Sequence, residues 1–173
     1  SKFLEAAIMN RGEEHGLLQL SHTRWFLNPK TIPLDMPLPN DTMPISVSAG
    51  LSQTELTSYL GNMSELTVLH WIQFIAQSKT ELETSKDFAE RVLIVATKSY
   101  LHSPSSKAQT DLIHILKAKR CVPTRFGMKL PQDAYFPSVK LFDDLPIVDF
   151  SKHINEAFLV ALGVRKVSSC RLC

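Results

Sequence analysis

The histidines are the first residues to consider for chemistry, because an imidazole can ligate a metal ion or act as a catalytic base. The chain has six of them, at positions 15, 22, 70, 102, 114 and 153. No histidine has another three or four residues away, and none lies near a cysteine at a zinc-ligand spacing. We therefore expect surface or hydrogen-bonded core histidines, with no metal site and no cofactor.

Other polar neighbours in the sequence do not form a catalytic pattern either. Ser21-His22 and the run at 151–153 place a hydroxyl beside an imidazole, but nucleophilic catalysis requires groups that are adjacent in space. The acidic pair at 143–144 precedes a proline, which is typical of a solvated turn. The six glycines are isolated, so no phosphate-binding loop is present. We predict that this chain is not an enzyme.

The basic stretch at residues 107–130 is the main candidate for a charged binding surface. It contains six cations and one carboxylate, a net charge of +5, whereas the whole chain carries only +2. A basic hairpin on a winged-helix frame could contact the phosphates of a nucleic acid. The candidate contacts are Lys117, Lys119, Arg120, Arg125 and Lys129.

Nucleic-acid binding is the alternative rather than the leading hypothesis. The cations near residue 118 also favour the C-terminal dipole of a helix, which is a purely structural role. The helix expected at 106–118 offers only Gln109 and few other side chains that could read bases.

Length and composition indicate an ordinary globular chain. Its 173 residues are 44% hydrophobic and 21% charged, which suits one domain, or one domain with an arm. The longest apolar burst is VLIVA, at 92–96, far below the roughly 20 residues of a membrane span. Three cysteines are too few for a disulfide framework and favour a reducing compartment, so we expect an intracellular protein, cytoplasmic or nuclear.

Helical spacing and capping residues predict a mainly α fold. A helix is expected at 1–10, and another begins at Ser52, where Glu55 closes a capping box. Further helices are expected after Ser64, from about 87 to 101, and from Ser106, where Gln109 fits a second capping box. The last helix, at 151–163, is expected to begin with a Ser151 cap and end at Gly163.

Short apolar pieces and prolines predict the remaining segments. LLQL (17–20) and RWFL (24–27) could pair as strands. Residues 28–45 hold half of the ten prolines and read as an extended arm lying on an apolar surface. Its apolar side chains are Ile32, Leu34, Met36 and Leu38. Residues 120–130 predict a hairpin around Arg125-Phe126-Gly127, in which Pro123 argues for an edge strand.

Together these patterns predict a mainly α fold with a small β-hairpin, a winged-helix-like helical domain with an N-terminal proline-rich arm. The expected division is residues 1–50 for the first helix and arm, 51–130 for the helical core and hairpin, and 131–173 for an extended strap, the last helix and a tail.

Two short motifs resemble a known family. CVPTRFGMKLP (121–131) and FLVALGVRK (158–166) look like segments of very large sacsin-like proteins, in particular a fungal family of giant proteins with an N-terminal GHKL-type ATPase domain. In such proteins the ATPase residues lie in another domain, so the resemblance assigns no catalytic role here. It implies chaperone-like activity and protein contacts.

The leading hypothesis is therefore a non-catalytic protein-interaction or spacer module of a larger ATPase-linked protein. Its partner would be another protein or other domains of the same chain. Packing of the strap against the domain's own helices is the alternative role for its apolar residues. The candidate contact residues are Phe126, Met128, Tyr135, Phe136 and Phe142.

Overall fold

The computed structural model describes residues 23–52, 54–55, 58, 63–103, 106–137, 145–149 and 153–166. The chain divides into two compact units, residues 1–71 and residues 72–173, and the division falls inside a helix. The predicted boundaries, after residues 50 and 130, followed changes in sequence pattern and stay predictions.

The first unit is built around a short parallel strand pair. Strand β1 (Trp25–Phe26) lies parallel to β2 (Ser64–Glu65), and a single bridge joins Trp25 to Thr42 on the other side of β1. Helix α1 (Ile45–Ser48) follows the proline-rich segment, and α2 (Val68–Ser78) follows β2. The sequence did not indicate this pairing of β1 with residues 64–65. The expected pairing of RWFL with LLQL stays a prediction, because residues 17–20 lie outside the described part of the chain.

The proline-rich segment packs against its own unit. Ile32 and Met36 are buried, and the Trp71 indole N–H donates a hydrogen bond to the carbonyl oxygen of Pro37 at 2.9 Å. The expected contact with an apolar surface is therefore confirmed for Ile32 and Met36. Leu34 differs, because it is 55% exposed. Alternate side chains of this segment thus meet the core and the solvent.

Two helix starts near this unit test the capping predictions. Ser52 and Glu55 form the predicted capping box: the Ser52 backbone N–H donates to a Glu55 carboxylate oxygen at 2.7 Å, and the Glu55 N–H donates to Ser52 Oγ at 3.2 Å. The hydrogen bonds that the carboxylate accepts from the Ser52 N–H and from the Ser52 hydroxyl, the latter at 2.9 Å, lower the pKa of the Glu55 carboxyl. The Ser64 cap is wrong, because Ser64 lies in β2; the Thr67 hydroxyl accepts from the His70 N–H at 3.2 Å and begins α2.

The second unit is a group of helices around an apolar core. After α2 come α3 (Glu81–Thr84), α4 (Lys86–His102) and α5 (Lys107–Lys117). Ser85 Oγ caps α4 and Ser106 Oγ caps α5, each accepting from the N–H three residues later at 3.3 Å. The sequence pattern did not predict α3, a single short turn. The largest fully buried side chains here are Ile72, Ile75, Leu82, Leu93, Leu112, Leu116, Phe158 and Leu162.

The second predicted capping box is wrong, because the Gln109 side chain does not bond back to Ser106. Its side-chain Nε2 donates to the carbonyl oxygen and the hydroxyl of Ser99, at 2.9 and 3.1 Å, instead of closing back on Ser106. The residue is buried between α4 and α5 and joins the two helices. Gln109 is thus a structural residue and does not face outwards.

The predicted hairpin is confirmed. Strand β3 (Val122–Thr124) pairs antiparallel with β4 (Gly127–Lys129), joined by a two-residue turn. A 3₁₀ turn (Pro131–Asp133) follows, and α6 (Glu156–Leu162) is the last described helix. Helix α6 starts later than expected: Asn155 Oδ1 accepts from the Phe158 N–H at 3.2 Å and caps it, while Ser151 lies outside the described residues. Gly163 ends α6 in the left-handed region, as predicted.

The structure is therefore mainly α with a small β-hairpin, as the sequence predicted. The winged-helix-like arrangement stays a prediction, and so does the helix at 1–10, which lies outside the described residues. No helix in the described part of the chain is both long and apolar enough to span a membrane.

Candidate protein-contact site at the hairpin turn

The hairpin turn is held in one conformation by its own side chains. Thr124 Oγ1 donates to the Gly127 carbonyl oxygen at 2.7 Å and accepts from the Phe126 N–H at 3.1 Å. Gly127 has φ +94°, a left-handed conformation that glycine adopts with little strain. The Thr124 hydroxyl and the glycine together define the path of the turn across Arg125 and Phe126.

A segment from later in the chain supports the other side of β3. The Arg125 N–H donates to the Ile147 carbonyl oxygen at 3.1 Å, and the Asp149 N–H donates to the Pro123 carbonyl oxygen at 2.8 Å. Backbone groups of alternate residues in β3 therefore face β4 or residues 147–149. Pro123, read as a sign of an edge strand, lies between two chain segments. It is tolerated there because its missing N–H is not needed for the pairing with β4.

Residues 145–149 also connect the hairpin to Tyr135, whose neighbours bond to Arg165 after α6. Tyr135 donates from its N–H to the Pro146 carbonyl oxygen and accepts at its own carbonyl from the Val148 N–H, both at 2.9 Å. The neighbouring residues Ala134 and Phe136 exchange backbone hydrogen bonds with Arg165 at 2.9 and 3.0 Å. The hairpin thus belongs to a series of paired segments that continues to the residues after α6.

Phe126 projects from this supported turn. The side chain is 51% exposed, and the Arg125 guanidinium carbon lies 5.4 Å from the centre of the ring. Arg125 Nε donates to the Leu145 carbonyl oxygen at 3.0 Å, which places the guanidinium beside the ring. The tip therefore combines an exposed aromatic ring with a positive charge.

The other predicted contact residues have different surroundings. Phe136 is buried, with Lys166 Nζ 5.8 Å from its ring centre, so it packs within its own unit. Met128 and Tyr135 are half-buried. Phe142 lies outside the described residues. Of the four described candidates, only Phe126 is exposed.

The predicted basic residues divide between a helix end and the hairpin. Lys117 and Arg120 are exposed at the end of α5 and just beyond it, and Lys119 is half-buried. Arg125 lies at the turn, and Lys129 pairs with Val122 at the end of β4.

Carboxylates lie close to both groups of cations. A Glu83 carboxylate oxygen accepts from the Arg120 backbone N–H at 2.9 Å. Helix α3, which carries Glu83, contacts β4. On the other side of β3, the Asp149 carboxylate pairs with Lys86 at 2.7 Å. The cations of the basic stretch therefore have acidic side chains from other segments as neighbours.

Cys121, which precedes the hairpin, is a buried structural residue. Its thiol donates to the Leu116 carbonyl oxygen at 3.5 Å, and burial raises the pKa of the thiol to about 12. Since the thiolate is the nucleophile, this cysteine is inert at neutral pH. Among the residues described, no three histidine, cysteine, aspartate or glutamate side chains are placed to hold a metal ion.

The first unit contains an open groove that the sequence analysis did not find. Its volume is about 480 Å³, and we call it the Phe26 groove. Asn28, Lys30 and Glu65 supply polar groups to its lining, and Asn28 Nδ2 donates to Glu65 Oε1 at 2.8 Å. No sequence pattern indicated this groove, because the exposure of Leu34 is known only from the folded structure. The apolar lining comes mainly from Phe26, Leu27, Pro29, Leu34, Ile45 and Leu51.

The chain is mainly α, and its hairpin turn presents the exposed Phe126 side chain on a backbone that hydrogen bonds support. The chain belongs to the family described as protein of unknown function (DUF3684), whose model matches residues 1–170. Comparison with curated proteins gives no match, and comparison with solved structures gives none.

Proposed function

We propose that this chain is a non-catalytic module that makes protein contacts within a larger ATPase-linked, chaperone-like protein. The observation that carries the proposal is the exposed Phe126 ring on a turn fixed by Thr124 and by residues 145–149. The resemblance of the hairpin motif to sacsin-like proteins supports the ATPase link and the chaperone-like role.

The geometry of the turn suits a contact anchor for an energetic reason. Aromatic side chains, phenylalanine among them, are enriched at protein interfaces relative to the rest of the protein surface. A side chain on a rigid turn loses little conformational entropy on binding, so more of its burial contributes to affinity.

Site-specific photo-crosslinking in the full-length parent protein tests this proposal. A photoreactive phenylalanine analogue is placed at position 126, and the matched control is the same analogue at Val160, which is 48% exposed on α6. We expect crosslinks from position 126 to a defined protein segment and fewer from position 160. Equal crosslinking at both positions would contradict the contact role. Catalytic turnover by the isolated chain, abolished by one polar substitution, would contradict the non-catalytic role.

A second candidate function is nucleic-acid binding through Lys117, Lys119, Arg120, Arg125 and Lys129. The observation in its favour is the exposure of Lys117, Arg120 and Arg125 on consecutive segments. Two observations weigh against it: Gln109, the expected base-reading side chain, is buried, and Glu83 lies beside the Arg120 backbone.

Oligonucleotide titration separates the two functions. Duplex and single-stranded oligonucleotides are titrated at two salt concentrations. Binding that weakens steeply with salt, and that is lost in Arg120→Glu plus Arg125→Glu, would favour the nucleic-acid role. The protein-contact role predicts no salt-dependent binding to either oligonucleotide.

A further inference from the structure

We draw no further inference here: the strongest candidate, the Phe26 groove of the first unit, carries Lys30 beside Glu65 in its otherwise apolar lining, and nothing in the described part of the structure shows what covers it.

Discussion

The Asp149 carboxylate accepts a hydrogen bond from Lys86 Nζ at 2.7 Å, while the Asp149 backbone N–H donates to the Pro123 carbonyl oxygen at 2.8 Å. One residue therefore ties the start of α4 to the hairpin through both its side chain and its backbone. The side chains of Lys86 and Asp149 are 48% and 57% exposed, so solvent and salt screen the ion pair. The backbone hydrogen bond is not screened in the same way.

The first prediction separates these two contacts. Asp149→Asn should lower the free energy of unfolding only slightly, and high salt should abolish the difference. Asp149→Pro should cost about 1 kcal/mol more, because it removes the N–H that bonds to Pro123. Urea unfolding at low and high salt measures the loss of unfolding free energy in each variant. An equal loss in the two variants would show that the side chain, and not the backbone, supports the hairpin.

The same ion pair has a predicted pH dependence. The hydrogen bond to Asp149 raises the pKa of Lys86 above its ordinary value of 10.5. The contribution of the ion pair to the free energy of unfolding is therefore fully present below pH 10.5, and it is lost as the pH rises through the folded-state pKa of Lys86. NMR titration of the Lys86 side chain in the wild type and in Asp149→Asn tests this. The Lys86 pKa should be lower in the variant, and an unchanged value would contradict the assignment.

The second structural prediction concerns the turn that presents Phe126. Gly127→Ala should cost about 1–2 kcal/mol, because φ +94° is unfavourable for a residue with a Cβ. Among the described residues other than its two chain neighbours, no atom lies within 4 Å of the position that the new Cβ would occupy, so the cost comes from the backbone and not from a clash. Gly50→Ala is the matched control, since its φ is not left-handed and the nearest atom its Cβ would meet in the described residues, chain neighbours apart, is Val47 O at 3.9 Å. Thermal unfolding should show a loss at position 127 and little change at position 50.

The cap of α6 gives a third prediction. Asn155→Ala should lower the free energy of unfolding by about 1 kcal/mol, because it removes the acceptor for the Phe158 N–H. Asn155→Ser supplies another capping oxygen and should retain most of the stability. Chemical denaturation of the wild type, Asn155→Ala and Asn155→Ser measures the three free energies of unfolding. An alanine variant as stable as the wild type would place the helix start elsewhere.

A fourth prediction follows from the burial of Cys121. Burial raises the thiol pKa to about 12 from an ordinary 9.0, so folding favours the neutral thiol. Its contribution to stability is present below about pH 9 and falls as the pH rises towards 12, by at most about 1.4 kcal/mol per pH unit.

Cys121→Ala isolates this effect, because the other titrating groups are common to both proteins. The difference in unfolding free energy between wild type and variant should shrink as the pH rises from 9 to 12. Alkylation of Cys121 in the native wild type should be slow at neutral pH. Rapid alkylation without unfolding would contradict the burial.

Local sequence patterns were sufficient where neighbouring residues alone decide the structure. The capping box of Ser52 and Glu55, the Ser106 cap and the left-handed Gly163 each depend on a few consecutive residues. The hairpin was predictable for the same reason, since its turn needs a glycine and its strands are short.

The errors occurred where a distant segment supplied the hydrogen-bond partner of a residue that the local pattern assigned to a cap. Ser64 is a good helix cap by type, but its N–H bonds to the Arg24 carbonyl oxygen at 3.0 Å and places it in a strand. Gln109 fits a capping box, but Ser99 on α4 binds its amide. In both cases the partner is ten or more residues away, and nothing in the local pattern indicates it.

At the candidate site, too, the local sequence predicted some features and only the tertiary structure decided the others. Sequence alone identified Phe126 and Arg125 as neighbours on a turn, because residue order places them there. Only the tertiary structure decided that Phe126 is exposed while Phe136 is buried, since exposure depends on which segments pack alongside. The Phe26 groove was likewise invisible in the sequence. Its walls come from residues 26 to 65, and apolar side chains line a cavity only after the chain has brought them together.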